Sequence, residues 1–349
     1  MDKKTKLQFI QDLPKVELHM HLEGSLEPEL MMELATRNEV PIPFKSAAEI
    51  RKACEFESLE EFLKLYYLGH STFKTRKDFY DLIYAYFKRV STGNLKYAEL
   101  FFEAQEHYER GVPLEEIVMG LYEGCQQAEK DFGIKSGLIL TLLRQYSAEK
   151  MMTLLKDAVK YKEYIIGVGL SSSEAGCPPK LYIEVCDFAR SVGWHVTSHA
   201  GEIGPAEYVR DSIELLKIER CDHGIGCRDA PEVVKLLADK QVGVTMCPIS
   251  NVLLKVTESI PKSPIRQYLD AKVKVCFNSD DPSYFGSTYI DENYEAVELE
   301  MGLSVAEWVK VVQDAIDMSW AADDIRADLQ ADLDAVKEKY NLKELYGIA

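Results

Sequence analysis

The chain has 349 residues, 46% of them hydrophobic, with 41 Lys and Arg against 58 Asp and Glu and a formal net charge of −17. That apolar share excludes a disordered chain and leaves room for one large domain or two medium ones. A broadly acidic surface repels phosphate backbones and anionic lipid, which argues against nucleic acid or a membrane as partner.

The opening residues, Met1-Asp2-Lys3-Lys4-Thr5-Lys6-Leu7, carry no apolar core of a secretory signal. No apolar run nears the roughly 18 residues that a membrane span needs. The eight cysteines include no C-x-x-C pair, so zinc-finger and thiol-redox readings lack support. Reduced thiols in a cytoplasmic protein are expected.

Strand-like runs then alternate with helical ones. The strand candidates are Val16–Leu22, Tyr97–Glu103, Ser136–Leu143, Tyr164–Leu170, His195–His199, Arg220–His223, Val242–Cys247 and Lys274–Asp280. They are short, apolar and rich in β-branched residues, as strands buried on both faces are. Ser58-Leu59-Glu60-Glu61 reads as a capping box opening a helix with Leu59, Phe62, Leu63 and Tyr66 on one face. Val209, Ile213 and Leu216 follow helical spacing after Gly204-Pro205. Asp229 reads as the cap of a helix entered through Pro231, and Leu329, Leu333, Val336 and Tyr340 continue the pattern near the C-terminus.

Eight alternations argue for a parallel sheet, open and doubly wound or closed. The count, and the chemistry at strand ends, favour a single-domain α/β protein, a (β/α)8 TIM barrel. Extra helices are expected at the C-terminus and as an insertion at about 45–93, after the first strand.

Three of the seven histidines end strands in the pattern that matters most. His19 and His21 form H-x-H, and residues i and i+2 of a strand share a face. His199, in His199-Ala200-Gly201-Glu202, closes the fifth strand. The eighth strand ends in Asn278-Ser279-Asp280-Asp281-Pro282, with Asp280 and Asp281 at the strand-to-loop corner. Three imidazoles and one carboxylate at strand ends one, five and eight make a catalytic zinc-type ligand set with a position left for water. The end of strand four has no lysine that could bridge a second ion, so one ion is expected. His223, in Asp222-His223-Gly224, is spare and fits a base or an orienting group. Glu202 is also spare, a carboxyl that burial could keep protonated. His70, His107 and His195 read as structural, with His195 at the bottom of the barrel.

These motifs together resemble the adenosine/adenine deaminase family: Pro14 to Leu26 with its His19-Met20-His21-Leu22-Glu23-Gly24, then His199-Ala200-Gly201-Glu202, Asp222-His223-Gly224 and Ser279-Asp280-Asp281-Pro282. Glu23, where adenosine deaminases usually have Asp, is similar to the adenine-deaminating branch of fungal and bacterial type. So are Cys247-Pro248-Ile249-Ser250-Asn251 and the run from Asn278 to Gly286.

The resemblance implies hydrolytic deamination of adenine to hypoxanthine and ammonia. Deamination of adenosine, or of an N6-substituted adenine, is the alternative. It implies one zinc per chain, or iron in its place, held by His19, His21, His199 and Asp280. Glu202 would serve purine N1, His223 the attacking water and Asp281 purine N7, with Glu23 and Ser172 also on the substrate. Glu23 is expected to overhang the pocket and accept the free ring N–H of adenine. The helix around Leu59, Phe62 and Leu63 is expected to close over the purine. Ser171 and Gln145 depart from the family pattern, which usually has Asp and His there. A different hydrolase on this scaffold, or a binding module, fits the spare Glu202 and His223 less well.

Overall fold

Short runs of Val, Ile and Leu have little side-chain freedom to lose in a strand, and here each is covered on its outer face by an amphipathic helix. The computed structural model describes residues 1–56 and 58–348, with the Leu59 side chain outside that description. Its strands are β1 (Lys15–His21), β2 (Leu95–Phe102), β3 (Lys135–Leu143), β4 (Ile165–Ser171), β5 (His195–Ala200), β6 (Arg220–His223), β7 (Gly243–Met246) and β8 (Val275–Phe277). They pair in parallel in the order β1 to β8. The ring closes through Asp280, whose N–H donates to the His19 carbonyl at 3.2 Å and whose carbonyl accepts the His21 N–H at 2.8 Å. The architecture is a (β/α)8 barrel.

β8 is shorter than the expected run to Asp280. After Phe277 the Asn278 side chain takes over part of the ladder, accepting the Leu18 N–H at 2.8 Å. Asp280 then turns into the left-handed region at φ 65°.

Between β1 and β2 the chain makes its longest excursion. The helices Ala47–Ala53, Leu59–His70 and Arg76–Val90 fall within the expected insertion. The excursion begins earlier than expected, with a 3-10 turn at Glu23–Ser25 and a helix at Pro28–Arg37. Arg76–Val90 is the barrel's own outer helix. Phe79, Leu82, Ile83, Tyr86, Phe87 and Val90 form its buried stripe, and Thr75 with Asp78 caps it. At Leu59–His70, Ser58 accepts the Glu61 N–H at 3.3 Å.

The helix expected after Asp229 starts at Pro231. Ala230 is its N-terminal flank, without a side-chain cap bond, so Asp229 does not cap it. The helix after Pro205 runs from Ala206 to Asp211 and widens into a π turn over Ser212–Leu216. Four further helices, Ile290–Met301, Val305–Met318, Asp323–Lys339 and Leu342–Tyr346, follow β8. No helix among the described residues is long and apolar enough to cross a membrane.

The floor of the barrel is polar. Arg220 on β6 pairs across the interior with Glu99 on β2 and lies 3.7 Å from the Trp320 ring centroid. His195 sits at this end, as expected, stacked on Trp320 and 2.7 Å from Glu219. The opposite end, at the strand carboxyl termini, holds the candidate site.

Candidate functional site

β1 aims alternate side chains at the mouth, so His19 and His21 arrive on the same side. His199 comes from β5 across the barrel and Asp280 from the turn after β8. All four are at most 4% exposed. The Nε2 atom of His199 is 3.1 Å from that of His19 and 3.0 Å from that of His21. Asp280 Oδ1 lies 3.4 and 3.5 Å from the Nε2 atoms of His19 and His21.

The outer nitrogens explain why the inner ones converge. His19 Nδ1 faces the Thr245 carbonyl at 3.3 Å and hydroxyl at 3.0 Å. His199 Nδ1 faces Asp222 at 3.3 Å, and His21 Nδ1 faces Glu103 at 3.5 Å. Each outer partner takes an N–H, which turns an Nε2 lone pair inward. Three lone pairs and a carboxylate facing one another repel unless a cation sits among them. Ligands about 2.0–2.1 Å from a tetrahedral ion stand about 3.3 Å apart, close to the spacing here. The four residues therefore fit one divalent ion, with their outer partners in place.

Asp222 anchors this outer ring. It accepts the hydroxyls of Thr197 at 2.9 Å and Thr245 at 2.8 Å as well as facing His199. Burial alone would raise its carboxyl pKa. The bond to His199 and the nearby His19 outweigh that and hold it well below the usual carboxylate range.

The cleft above the ion site is lined by Phe62, Leu63, Tyr66, Tyr67, Leu254, Glu103, Ser171, Ser172, Glu202, His223, Asp280 and Asp281, together with His21 and His199. Three of the polar ones stand in left-handed backbone: Ser172 at φ 69°, His223 at φ 69° and Asp280 at φ 65°. Such strain at strand ends re-aims side chains and amides into the mouth.

Glu202 is held by its loop rather than by a partner. The Glu174 carboxylate accepts the N–H groups of Gly201, Ile203 and Gly204 at 2.8–3.0 Å. Burial, then the charges of Asp280 and Glu174, push the Glu202 carboxyl up to about 8. His223 stands beside it, its Nε2 3.8 Å from Glu202 Oε1 and 4.0 Å from Asp280 Oδ2, with its Nδ1 3.0 Å from the Asn251 amide. Burial lowers the pKa of His223.

Asp281 is 5% exposed, and its Oδ1 has no hydrogen-bond partner. Burial and the neighbouring Asp280 push its carboxyl well above the usual range. It packs against Gly24, where an added Cβ would lie 2.1 Å from Asp281 Oδ1. A side chain at position 24 would therefore evict Asp281 from this place.

The structure brings together His19, His21, His199, Asp280, Glu202, His223, Asp281 and Ser172, and it places Glu23 elsewhere. The 3-10 turn rotates the Glu23 carboxylate away from the cleft. It accepts the Glu103 N–H at 3.1 and 3.3 Å and meets His107 Nε2 at 3.0 Å. Glu23 thus does not overhang the pocket. Sequence reasoning missed Glu103, the last residue of the expected second strand and the carboxylate that does line the cleft.

His70 and His107, read as structural, stack on each other at 5.2 Å close to this wall, behind Glu103 and Glu23. Gln145 bonds the Tyr67 hydroxyl at 2.8 Å and Glu106 at 3.0 Å, and Ser171 lines the cleft with its hydroxyl unpartnered. Of the expected closing face, Phe62 and Leu63 line the cleft, and the Leu59 side chain lies outside the described residues.

A barrel mouth with one buried three-histidine, one-carboxylate cluster and two spare carboxyls defines a class of hydrolytic enzyme, and the chain belongs to the adenosine deaminase family, whose model matches residues 14–336. Relatives named adenine deaminase are similar over most of the chain. The one from Ectopseudomonas mendocina is 42% identical over 88% of this chain and 98% of the relative. The one from Rhodospirillum rubrum is 42% identical over 94% of this chain and 98% of the relative. The crystal structure of adenine deaminase from Arthrobacter aurescens superposes with a TM-score of 0.90 at 37% identity, covering 94% of this chain and 99% of that one. The chain is a hydrolytic deaminase acting on a purine.

Proposed function

We propose that the protein hydrolyses adenine to hypoxanthine and ammonia at this mouth, with one zinc ion, or iron in its place, held by His19, His21, His199 and Asp280. The observation that carries the reading is the group of three facing imidazole nitrogens beside a carboxyl, Glu202, that burial keeps protonated near neutral pH. The relatives named adenine deaminase support the choice of base.

When bound, such an ion supplies Lewis acidity that brings the pKa of water to about 7. The chain's own residues do the rest. Glu202 donates its proton to N1 and makes C6 electrophilic. His223 faces the same side of the ring, where it orients the attacking water and holds its proton. Asp281, kept protonated, donates to N7. Ser172 offers its strained backbone at the opposite edge of the ring. Phe62, Leu63 and Tyr66 wall the cleft and exclude bulk water. A proton delivered to the C6 amino group then lets it leave as ammonia.

Eight free cysteines and an acidic chain suit a cytoplasmic enzyme of purine salvage that works on a small molecule.

The test is metal counting beside turnover. The purified protein should hold about one transition-metal ion per chain. His199→Ala should lose the ion and ammonia release from adenine together. Full ion occupancy in that variant would remove His199 from the ligand set and overturn the site.

A further inference from the structure

The cleft wall holds a carboxylate for which the proposed reaction has no task. Glu103, immediately after β2, is 3% exposed. Its Oε1 accepts the Tyr66 hydroxyl at 3.2 Å and lies 3.5 Å from His21 Nδ1. Its Oε2 lies 3.4 Å from His70 Nε2 and has no hydrogen bond of its own. Its backbone is pinned by both Glu23 oxygens. The wall therefore carries a carboxyl fixed in place at the cleft, one oxygen of which has no hydrogen-bond partner.

The order of the polar groups around the mouth says what it would face. Following the ring of strands, Asp281 comes after β8, Glu103 after β2, Ser172 after β4, Glu202 after β5 and His223 at the end of β6. Following a purine's perimeter from C6, the polar atoms are N7, N9, N3 and N1, and the circuit returns to C6. With Asp281 on N7, Glu202 on N1 and His223 beside C6, the two circuits run in the same sense. Glu103 then falls at N9 and Ser172 at N3. Free adenine in its 9H form carries its ring proton on N9, where an acceptor is needed.

We propose that Glu103 accepts the N9–H of the free base and is the residue that separates purine bases from N9-substituted purines. The inference rests on the function proposed above. A nucleoside has no N9–H to offer, and it brings its sugar against the carboxylate. The buried carboxyl is then left without a donor, a costly mismatch. Glu23 and His107 hold Glu103 in place without touching the substrate.

The experiment compares kcat/KM for adenine and 9-methyladenine in the wild type, Glu103→Ala and Glu103→Gln, with ion content measured for each. A site built around a hydrogen bond rejects an analogue lacking the donor by about 10⁴-fold, so the wild type should prefer adenine by that order. Glu103→Ala should lose about 10²–10³-fold on adenine and under about tenfold on 9-methyladenine, so the preference should fall to about 10–10³-fold. Glu103→Gln keeps a neutral acceptor of the same shape and should lie between, which keeps the test alive if the alanine variant does not fold.

Calorimetric binding of hypoxanthine and 9-methylhypoxanthine should follow the same pattern without turnover. Equal losses on both purines, with or without loss of the ion, would make Glu103 a mere support of His21 and overturn the proposal. So would a wild type that takes both purines equally well. A wild type that releases no ammonia from adenine would strike the function reading itself instead.

Discussion

Glu202 gives the account its pH signature. Its carboxyl must be protonated to donate to N1, and burial with two nearby carboxylates raises it to about 8. The protonated form dominates below that value and is lost as pH rises through it. The charge of a bound ion pulls the value down, so kcat/KM for adenine should fall on an alkaline limb at pH 8 or below. Glu202→Gln should keep the ion, lose that limb and lose about 10²–10⁴-fold in kcat. Wild-type turnover in this variant, measured by ammonia release, would remove the proton donor from the account. Glu202 was legible because it stands three residues from His199 in a motif. Glu103 was not, because one glutamate among 58 acidic residues carries no signal until the strand ends are placed around a ring. Its position as the last residue of an expected strand was the clue. Glu23 misled for the opposite reason. Two residues from His21 along the chain, it is turned away from the cleft by a single 3-10 turn.

At the scale of elements, the strands could be read from sequence because short β-branched runs buried on both faces have no other stable use in a chain of this pattern. Their ends were less legible. β8 stops at Phe277 because the Asn278 side chain substitutes for backbone, and no period-2 pattern records that. The excursion after β1 was found only from residue 45 onward, although Pro28–Arg37 buries Met31, Leu34 and Ala35 along one face.

The Leu59–His70 helix supplies Phe62, Leu63, Tyr66 and Tyr67 to the cleft. It is tied to the segments after β2 and β3 through Gln145, which bonds the Tyr67 hydroxyl and Glu106. Each such bond is worth about 0.5–1.5 kcal/mol. Gln145→Ala should therefore raise KM for adenine by about two- to tenfold with little change in kcat. Unchanged KM in steady-state kinetics would show that the tie does not hold the wall. A fall in kcat alone would place Gln145 nearer the chemistry than this geometry does.

For the whole molecule, closure and chemistry share one residue. Asp280 completes the barrel through its backbone and offers its side chain to the ion site. Stability is built at the other end. Arg220 and Glu99 are paired and almost fully buried under Trp320. Removing one partner leaves a buried charge unpaired, which costs about 3–5 kcal/mol. Arg220→Ala should show that loss in denaturant unfolding while the folded protein keeps its ion and its substrate preference. A loss of the ion at full folding would mean that the two ends are not independent.

Everything above turns on this barrel mouth deaminating a free purine base. It is tested most directly by kcat/KM for adenine and adenosine on the same metal-loaded preparation. Ammonia release from adenine is expected, with a preference of about 10⁴-fold over adenosine. Equal values, a preference for adenosine, or no ammonia from adenine would contradict it.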